Sequence, residues 1–166
     1  SYRATMTKAY GALVLGGGPG GYVCAIRLGQ LGVKTACIEA EEVGGVCLNW
    51  GCIPSKAIIS AAHLYEKAAT ASEMGIVTDG IRVDLEKLQD WKNKIVKKLT
   101  SGVRSLLKAN GVDVIEGRGR FVAKDALLVE KNSGEQERLT ASKGIVIATG
   151  SSTIELPGFA FDGVTL

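Results

Sequence analysis

Two cysteines, Cys47 and Cys52, are separated by four residues, and their spacing is compatible with three kinds of chemistry. A zinc site needs about four ligands, and the single histidine of the chain, His63, has no metal-binding partner close to it in sequence. Two inert buried cysteines would not require the glycine, proline and lysine that surround this pair. The pattern therefore favours the third possibility, a redox-active dithiol at the beginning of a helix.

The geometry of a disulfide places a condition on the segment between the two cysteines. Bridged cysteines have Cα atoms within about 7 Å of each other, and residues five positions apart on a regular helix are more distant than that. The backbone must therefore be irregular here, which suits Asn49, Gly51 and the following Pro54. The start of the helix and Lys56 are both expected to favour the thiolate form of Cys52.

A glycine-rich turn precedes the cysteines. Residues 12–15 form a short apolar run typical of a buried parallel strand, and residues 20–31 have the pattern of a helix. Between this strand and this helix, Gly16, Gly18 and Gly21 match the dinucleotide fingerprint. Its glycines permit a tight turn, close approach to a pyrophosphate and close helix–strand packing. The N-terminus of the helix would then face the phosphates.

Glu39 ends the second predicted strand, residues 33–39, about 20 residues after the glycine turn. A carboxylate at that position can accept hydrogen bonds from the ribose hydroxyls of an adenosine and disfavours a 2′-phosphate. The alternative is an ordinary strand–helix–strand turn with a surface glutamate. Cys24 and Cys37 fall within the same unit and are predicted to be buried apolar residues.

The remaining pattern predicts an α/β fold: a Rossmann-like parallel sheet with an inserted β-meander at about residues 112–141. Helices are predicted over residues 54–71 and 85–110. The second of them carries an apolar stripe predicted to face the core, formed by Leu88, Trp91, Ile95, Leu99, Val103 and Leu106. Strands are predicted over residues 112–116, 119–123, 126–130, 137–140 and 144–150.

Composition excludes several classes of function. Of the 166 residues 46% are hydrophobic and 22% are charged, and the net charge is +3. Neither the charge nor its distribution indicates a nucleic-acid or membrane partner. No apolar run approaches the roughly 20 residues of a membrane-spanning helix. Without a secretory signal pattern, the expected location is the cytoplasm of a bacterium, with the mitochondrial matrix as a second possibility.

The segment GGVCLNWGCIPSK, residues 44–56, resembles the active-site signature of the class I pyridine nucleotide-disulfide oxidoreductases. Leu48, Asn49, Ile53 and Ser55 resemble the dihydrolipoamide dehydrogenase branch of that family in particular. The resemblance extends over residues 10–163 and includes the segments GRGRF at 117–121, ATG at 148–150 and LPG at 156–158. Thr153, where a proline is common in the family, is a departure that does not touch the chemistry.

The resemblance implies that FAD binds in an extended form. Its pyrophosphate would lie on the turn that contains Gly16, Gly18, Gly20 and Gly21, and its ribose on Glu39. The other residues implied to line the cofactor are Gly44, Gly45, Val46, Cys47, Lys56 near the flavin N5, Gly119 near the adenine, and Ala148, Thr149 and Gly150. No metal site is implied.

The resemblance also implies an activity. Cys47 would exchange with protein-bound dihydrolipoamide, Cys52 would face the flavin as a charge-transfer thiolate, and NAD⁺ would be reduced. The implied partners are a second subunit, the lipoyl domains and acyltransferase core of 2-oxo acid dehydrogenase complexes, or the lipoyl carrier of glycine cleavage. Two alternatives stay open: another flavin disulfide reductase, or a non-catalytic FAD-binding module.

The family pattern divides the chain into three parts. Residues 1–9 are expected to be an N-terminal extension, residues 10–150 an FAD-binding domain, and residues 151–166 the start of a linker to an NAD-binding domain that is missing here. A C-terminal histidine–glutamate pair of the family is not matched by His63. We therefore expect the 166-residue chain alone to be catalytically inactive.

Overall fold

The computed structural model describes residues 7–162 as strands and helices around a single barrel. The strands are β1 (Thr7–Leu15), β2 (Thr35–Glu39), β3 (Asp113–Ala123), β4 (Ala126–Lys131) and β5 (Gln136–Ile147). The helices are α1 (Pro19–Gln30), α2 (Gly45–Asn49), α3 (Cys52–Ala69) and α4 (Leu85–Ala109), with a 3₁₀ turn at Ala71–Met74. No helix within residues 7–162 is long and apolar enough to cross a membrane.

Four of the strands run parallel to one another and lie in the order β3–β2–β1–β5. At the centre Val14 of β1 pairs with Cys37 of β2 on one side and with Val146 of β5 on the other. Strand β4 is antiparallel to both β3 and β5 and joins them. The five strands therefore form one closed barrel.

The predicted mixed α/β class is confirmed, whereas the β-meander predicted as an insertion at about residues 112–141 shares its strands with the parallel sheet. Strand β3 is continuous because its residues 113–116 pair with β2 and its residues 117–123 pair with β4. Strand β5 likewise pairs with β4 over residues 136–140 and with β1 over residues 138–147. Two pairs of strands predicted as separate are thus single long strands that close the barrel.

The barrel encloses one core and a second core lies between the barrel and the helices. The inner core contains large buried side chains of four strands, among them Leu13, Ile38, Leu127 and Leu139. The outer core contains, among others, Val14, Cys37, Val43, Leu48, Val103 and Leu107. Burial of both faces explains why residues 12–15 and 35–38 are almost continuously apolar.

Several boundaries differ from those predicted. Strand β1 begins at Thr7, inside the predicted extension of residues 1–9, because Thr7 pairs in register with Arg138 of β5. Residues 1–6 lie outside the described part of the chain. Helix α3 begins at Cys52, two residues before the predicted start. Short helix α2 was not predicted, because five residues are too few to produce a periodic apolar pattern.

Helix α4 is capped by Asp84, whose side chain accepts a hydrogen bond of 3.1 Å from the backbone N–H of Lys87. Its apolar stripe reaches the core only near the C-terminus, where Val103 is buried together with Leu107. Trp91 and Leu99 remain 44% and 39% exposed. The prediction that the whole stripe faces the core was therefore wrong for Trp91, Leu99 and Leu106, of which Leu106 is 53% exposed while its neighbour Leu107 is buried.

Candidate cofactor cleft and cysteine pair

A cleft of about 1120 Å³ opens where the parallel strands end. Ligand sites of open parallel sheets lie beyond the carboxyl ends of the strands, and here the turns after β1, β2 and β5 all contribute. The lining residues are Leu15, Gly16, Gly18, Pro19, Gly20, Ile38, Glu39, Ala40, Glu41, Glu42, Gly45, Val46, Cys47, Trp50, Gly51, Cys52, Gly117, Arg118, Gly119, Ala148, Thr149, Gly150, Ser151, Ser152 and Thr153.

The turn after β1 requires glycine at two positions. Gly16 has φ +105°, and a Cβ there would lie 2.1 Å from the carbonyl oxygen of Ala148. A Cβ on Gly21, the third fingerprint glycine, would lie 1.8 Å from the carbonyl oxygen of Gly16. These two residues therefore allow α1 to pack directly on the turn, as the fingerprint predicts.

Between the turn and α2 the backbone forms a narrow cradle. A Cβ on Gly45, which has φ +57°, would lie 2.7 Å from the Cα of Gly18. The N–H of Gly44 donates to the carbonyl oxygen of Gly17 at 2.8 Å, which holds the two segments together. Helix α1 begins beside this cradle at Pro19, so its first backbone N–H groups, which have no partner within the helix, suit a phosphate.

Glu39 is fixed by two backbone hydrogen bonds at the end of β2. Its Oε2 accepts from the N–H of Gly17 at 2.6 Å, and its Oε1 accepts from the N–H of Glu41 at 2.9 Å. A carboxylate offers about four acceptor sites, so each oxygen retains capacity for one more donor. The half-buried carboxylate is thus held in one orientation within the cleft, as ribose recognition requires.

The two cysteines lie on either side of a break between helices. Cys47 is in α2 and Cys52 is the first residue of α3, with Gly51 between the helices at φ −112° and ψ −108°. The N–H of Gly51 donates to the carbonyl oxygen of Val46 at 2.6 Å, which turns the chain back. The irregular backbone predicted from the cysteine spacing is confirmed.

Polar side chains of the same segment stabilise the break. The Asn49 amide donates to the carbonyl oxygens of Gly45 at 3.0 Å and Val43 at 3.3 Å, which ties α2 to the loop before it. The Ser55 hydroxyl donates to the carbonyl oxygen of Gly51 at the start of α3. These two side chains explain why the segment holds an irregular conformation beside a regular helix.

The two thiols differ in exposure, and the pKa of the Cys47 thiol is shifted. Cys47 is half-buried and packs against the outer core, whereas Cys52 is exposed. Hydrogen bonding with Cys52 raises the pKa of the Cys47 thiol above its usual value, and the positive charge of Lys56 acts in the opposite direction. The resemblance implies that a bound flavin shields Cys52, which is a prediction for the flavin-bound protein.

The other cysteines are separate from this pair. Cys37 is fully buried, and burial raises its pKa to about 12. Cys24 on α1 is half-buried, so the prediction of two buried residues holds fully for Cys37 only. His63 is exposed on α3. Within residues 7–162 no group of three or more histidine, cysteine, aspartate or glutamate side chains is arranged to hold a metal ion.

These environments predict an order of alkylation in the reduced chain without cofactor. Cys52 should react with iodoacetamide first, Cys47 more slowly, and Cys37 only when the protein unfolds, because the thiolate must form and be accessible. Peptide mapping after timed labelling measures the order. FAD should then slow labelling of Cys52 selectively. Labelling of Cys37 as fast as Cys52 would contradict the assigned environments.

Most of the residues predicted to bind a cofactor line the cleft, and three do not. Gly21 lies beneath the turn, Gly44 shapes the cradle through φ +103°, and Lys56 is exposed on α3, where its charge acts on Cys47. Gly21 and Gly44 therefore shape the cleft through the backbone, and Lys56 acts on it through its charge.

Several residues that line the cleft were not among those predicted from the sequence. Leu15 and Ile38 are the last apolar residues of β1 and β2, and Trp50 lies between the cysteines. Arg118 stands between two glycines of β3. Leu15 and Ile38 could have been predicted, because residues at the carboxyl ends of parallel strands face the ligand crevice. The sequence around Trp50 and Arg118 gives no comparable indication.

The sequence was compared with protein families and with individual proteins. Residues 10–165 match the family model described as pyridine nucleotide-disulphide oxidoreductase. The chain is 52% identical over 149 residues to a dihydrolipoyl dehydrogenase of Geobacillus stearothermophilus. It is 50% identical over 150 residues to a dihydrolipoyl dehydrogenase of Bacillus subtilis (strain 168). Each alignment covers 90% of this chain and 31% of the relative, so the chain spans about a third of their length.

A solved structure is similar over the same part of the chain. It is the Cu(II) complex of the HOCl-induced flavoprotein disulfide reductase RclA from Escherichia coli, with a TM-score of 0.74 and 27% sequence identity. The match covers 90% of this chain and 30% of that chain. Since the family model spans nearly all of the described residues, the chain belongs to the pyridine nucleotide-disulphide oxidoreductase family.

Proposed function

We propose that the chain is the FAD-binding part of a flavin-dependent dihydrolipoamide dehydrogenase. One observation carries the proposal: a single cleft joins the glycine turn and Glu39 to Cys47 and Cys52. An extended dinucleotide bound on the turn can therefore reach the thiols with its other end. The dihydrolipoyl dehydrogenases at 50–52% identity support this specificity over that of other disulfide reductases.

The cleft fits FAD residue by residue. A Cβ on Gly18 would meet no atom closer than 3.8 Å and one on Gly20 none within 4 Å, so the backbone beside the turn is open to a pyrophosphate. Glu39 would accept the ribose hydroxyls, and Gly119, which lines the cleft, would lie on the adenine side. The parallel order β3–β2–β1–β5 supports the finer assignment of a Rossmann-like sheet.

The cysteine pair would perform thiol–disulfide exchange. A thiolate of dihydrolipoamide attacks Sγ of Cys47 in the disulfide, and Cys52 leaves as a thiolate. The second thiolate of dihydrolipoamide then attacks the substrate sulfur that is bonded to Cys47 Sγ. This step releases oxidised lipoamide and leaves Cys47 as a thiolate. FAD held on the glycine turn and Glu39 would supply the two-electron redox chemistry that links the dithiol to NAD⁺. Lys56 favours the thiolate form of Cys47 through its charge.

Further elements of the proposal concern the longer protein that includes this chain. NAD⁺ would bind in a separate domain, and a second subunit would complete the enzyme. The partners would be lipoyl domains and the acyltransferase core of a 2-oxo acid dehydrogenase complex, or the lipoyl carrier of glycine cleavage. The chain alone would be a non-catalytic FAD-binding module, because only one dinucleotide fingerprint occurs in its 166 residues.

Titration with FAD tests the cofactor assignment. The chain should quench flavin fluorescence on binding and should bind NAD⁺ much more weakly. Glu39→Gln should weaken FAD binding about tenfold, because a hydrogen bond to a charged group contributes about 1.5 kcal/mol. Glu130→Gln, at an exposed position of β4, is the control and should leave the affinity unchanged. Tighter binding of NAD⁺ than of FAD would refute the assignment.

A further inference from the structure

Arg104 of α4 connects two acidic residues that are distant in sequence. Its Nη2 donates to Oε2 of Glu42 at 3.1 Å, and its Nη1 donates to Oε1 of Glu116 at 2.9 Å. The three side chains are 37%, 53% and 51% exposed, so the bridge is partly shielded from solvent. A guanidinium is suited to this role because its planar fork can bond two carboxylates at fixed angles.

Each of the two carboxylates belongs to a different wall of the cleft. Glu42 lines the cleft from the loop between β2 and α2, and its carbonyl oxygen accepts the N–H of Gly45 in the cradle at 3.1 Å. Glu116 immediately precedes Gly117 of β3, which lines the cleft from the neighbouring strand. Arg104 therefore connects the loop that supports the cradle with the strand segment on the proposed adenine side.

The backbone pairing between β2 and β3 ends before Glu42 and Gly117. Strands β2 and β3 pair up to Glu39 and Glu116, and beyond that point β3 turns to pair with β4. The loop after β2 thus leaves the sheet where Glu42 begins to line the cleft. A side chain that bonds both segments at this point limits how far the cleft can open.

We propose that Arg104 is a positioning residue that sets the width of the cleft at its adenosine end. The inference rests on the proposed function, since FAD is taken as the occupant. Its effect passes through Glu42 and Glu116 to the backbone of the two walls. It should therefore change the affinity for ligands that contain adenosine diphosphate.

The chain contains a matched control for the bridge. Lys131 also bonds two carboxylates, Glu135 at 3.3 Å and Glu137 at 3.0 Å, and it is 29% exposed. That bridge lies in the β4–β5 hairpin and does not line the cleft. Lys131 is the register partner of Gly117, and Lys131→Ala keeps that backbone pairing. The substitution therefore removes an ion-pair network of the same kind while the bridge from Arg104 stays intact.

The experiment compares Arg104→Ala, Arg104→Lys and Lys131→Ala in the 166-residue chain. Titrations with FAD and with ADP should both show a dissociation constant raised about fivefold in Arg104→Ala, a value that follows from two partly exposed ion pairs. Arg104→Lys should recover only part of the lost affinity, because the lysine ammonium keeps the positive charge but lacks the fixed fork of the guanidinium. Lys131→Ala should bind both ligands like the unaltered chain.

Hydrogen exchange of the ligand-free chain provides the second measurement. In Arg104→Ala the amides of residues 40–45 and 117–119 should exchange at least about threefold faster, and in Lys131→Ala they should not. Equal exchange and equal affinities in the two alanine variants would overturn the proposal. If the unaltered chain bound neither FAD nor ADP, the proposed function would fail, and the exchange measurement would still decide whether Arg104 holds the walls.

Discussion

Replacing either Cys47 or Cys52 by serine is expected to lower dihydrolipoamide oxidation by about 10³-fold or more in the protein that carries this chain. Each sulfur has a separate task in exchange: one receives the substrate thiolate and the other leaves. A hydroxyl can do neither, and removal of a nucleophile from a coupled set abolishes most of the rate. Steady-state NADH formation with dihydrolipoamide measures the loss.

Cys24→Ser provides the control for this prediction. It makes the same chemical change on α1, at a half-buried position outside the lining of the cleft. Its rate should remain within about twofold of the unaltered protein. FAD content should also be retained in all three variants. A serine variant of Cys47 or Cys52 with near-normal turnover would show that the pair does not transfer electrons.

Replacing Gly21 by alanine is expected to destabilise the chain by about 3 kcal/mol, at the upper end of the cost of overpacking. The added Cβ would lie 1.8 Å from the carbonyl oxygen of Gly16, which is backbone and cannot move aside without displacing α1 from β1. The phosphate cradle would be displaced with it, so FAD affinity should fall about a hundredfold. Urea unfolding and fluorescence titration measure the two effects.

The neighbouring glycine distinguishes a steric effect from a general effect of alanine. A Cβ on Gly20 meets no atom within 4 Å, and this residue is also helical. Gly20→Ala should therefore leave stability unchanged or raise it by about 0.5 kcal/mol, since alanine favours helix over glycine. Equal destabilisation by the two substitutions would contradict the close packing assigned to Gly21.

The motifs with short-range physical causes could be predicted from the sequence. The glycine turn, the strand before it and the helix after it follow from local patterns, and Glu39 follows from its place at a strand end. The break between Cys47 and Cys52 follows from the geometry of a disulfide. In each case the reason lies within a few residues of the motif, so the rest of the fold is not needed.

Features that depend on distant parts of the chain could not be predicted. Continuity of β3 and β5 depends on β4, which pairs with both and closes the barrel. Burial of α4 depends on which part of the helix lies against the sheet, and periodicity alone does not contain that information. The bridge from Arg104 to Glu42 spans 62 residues, and a single charged residue in a helix gives no sign of its partner.

The proposed coupling between the cysteine pair and FAD is tested most directly by reductive titration of the FAD-loaded chain without oxygen. If Cys47 and Cys52 form a disulfide that exchanges electrons with the bound flavin, the chain should consume one electron pair per flavin more than its Cys47→Ser/Cys52→Ser variant. The difference should disappear after alkylation of the reduced pair. Equal consumption by the unaltered chain and the double variant would contradict the proposed coupling.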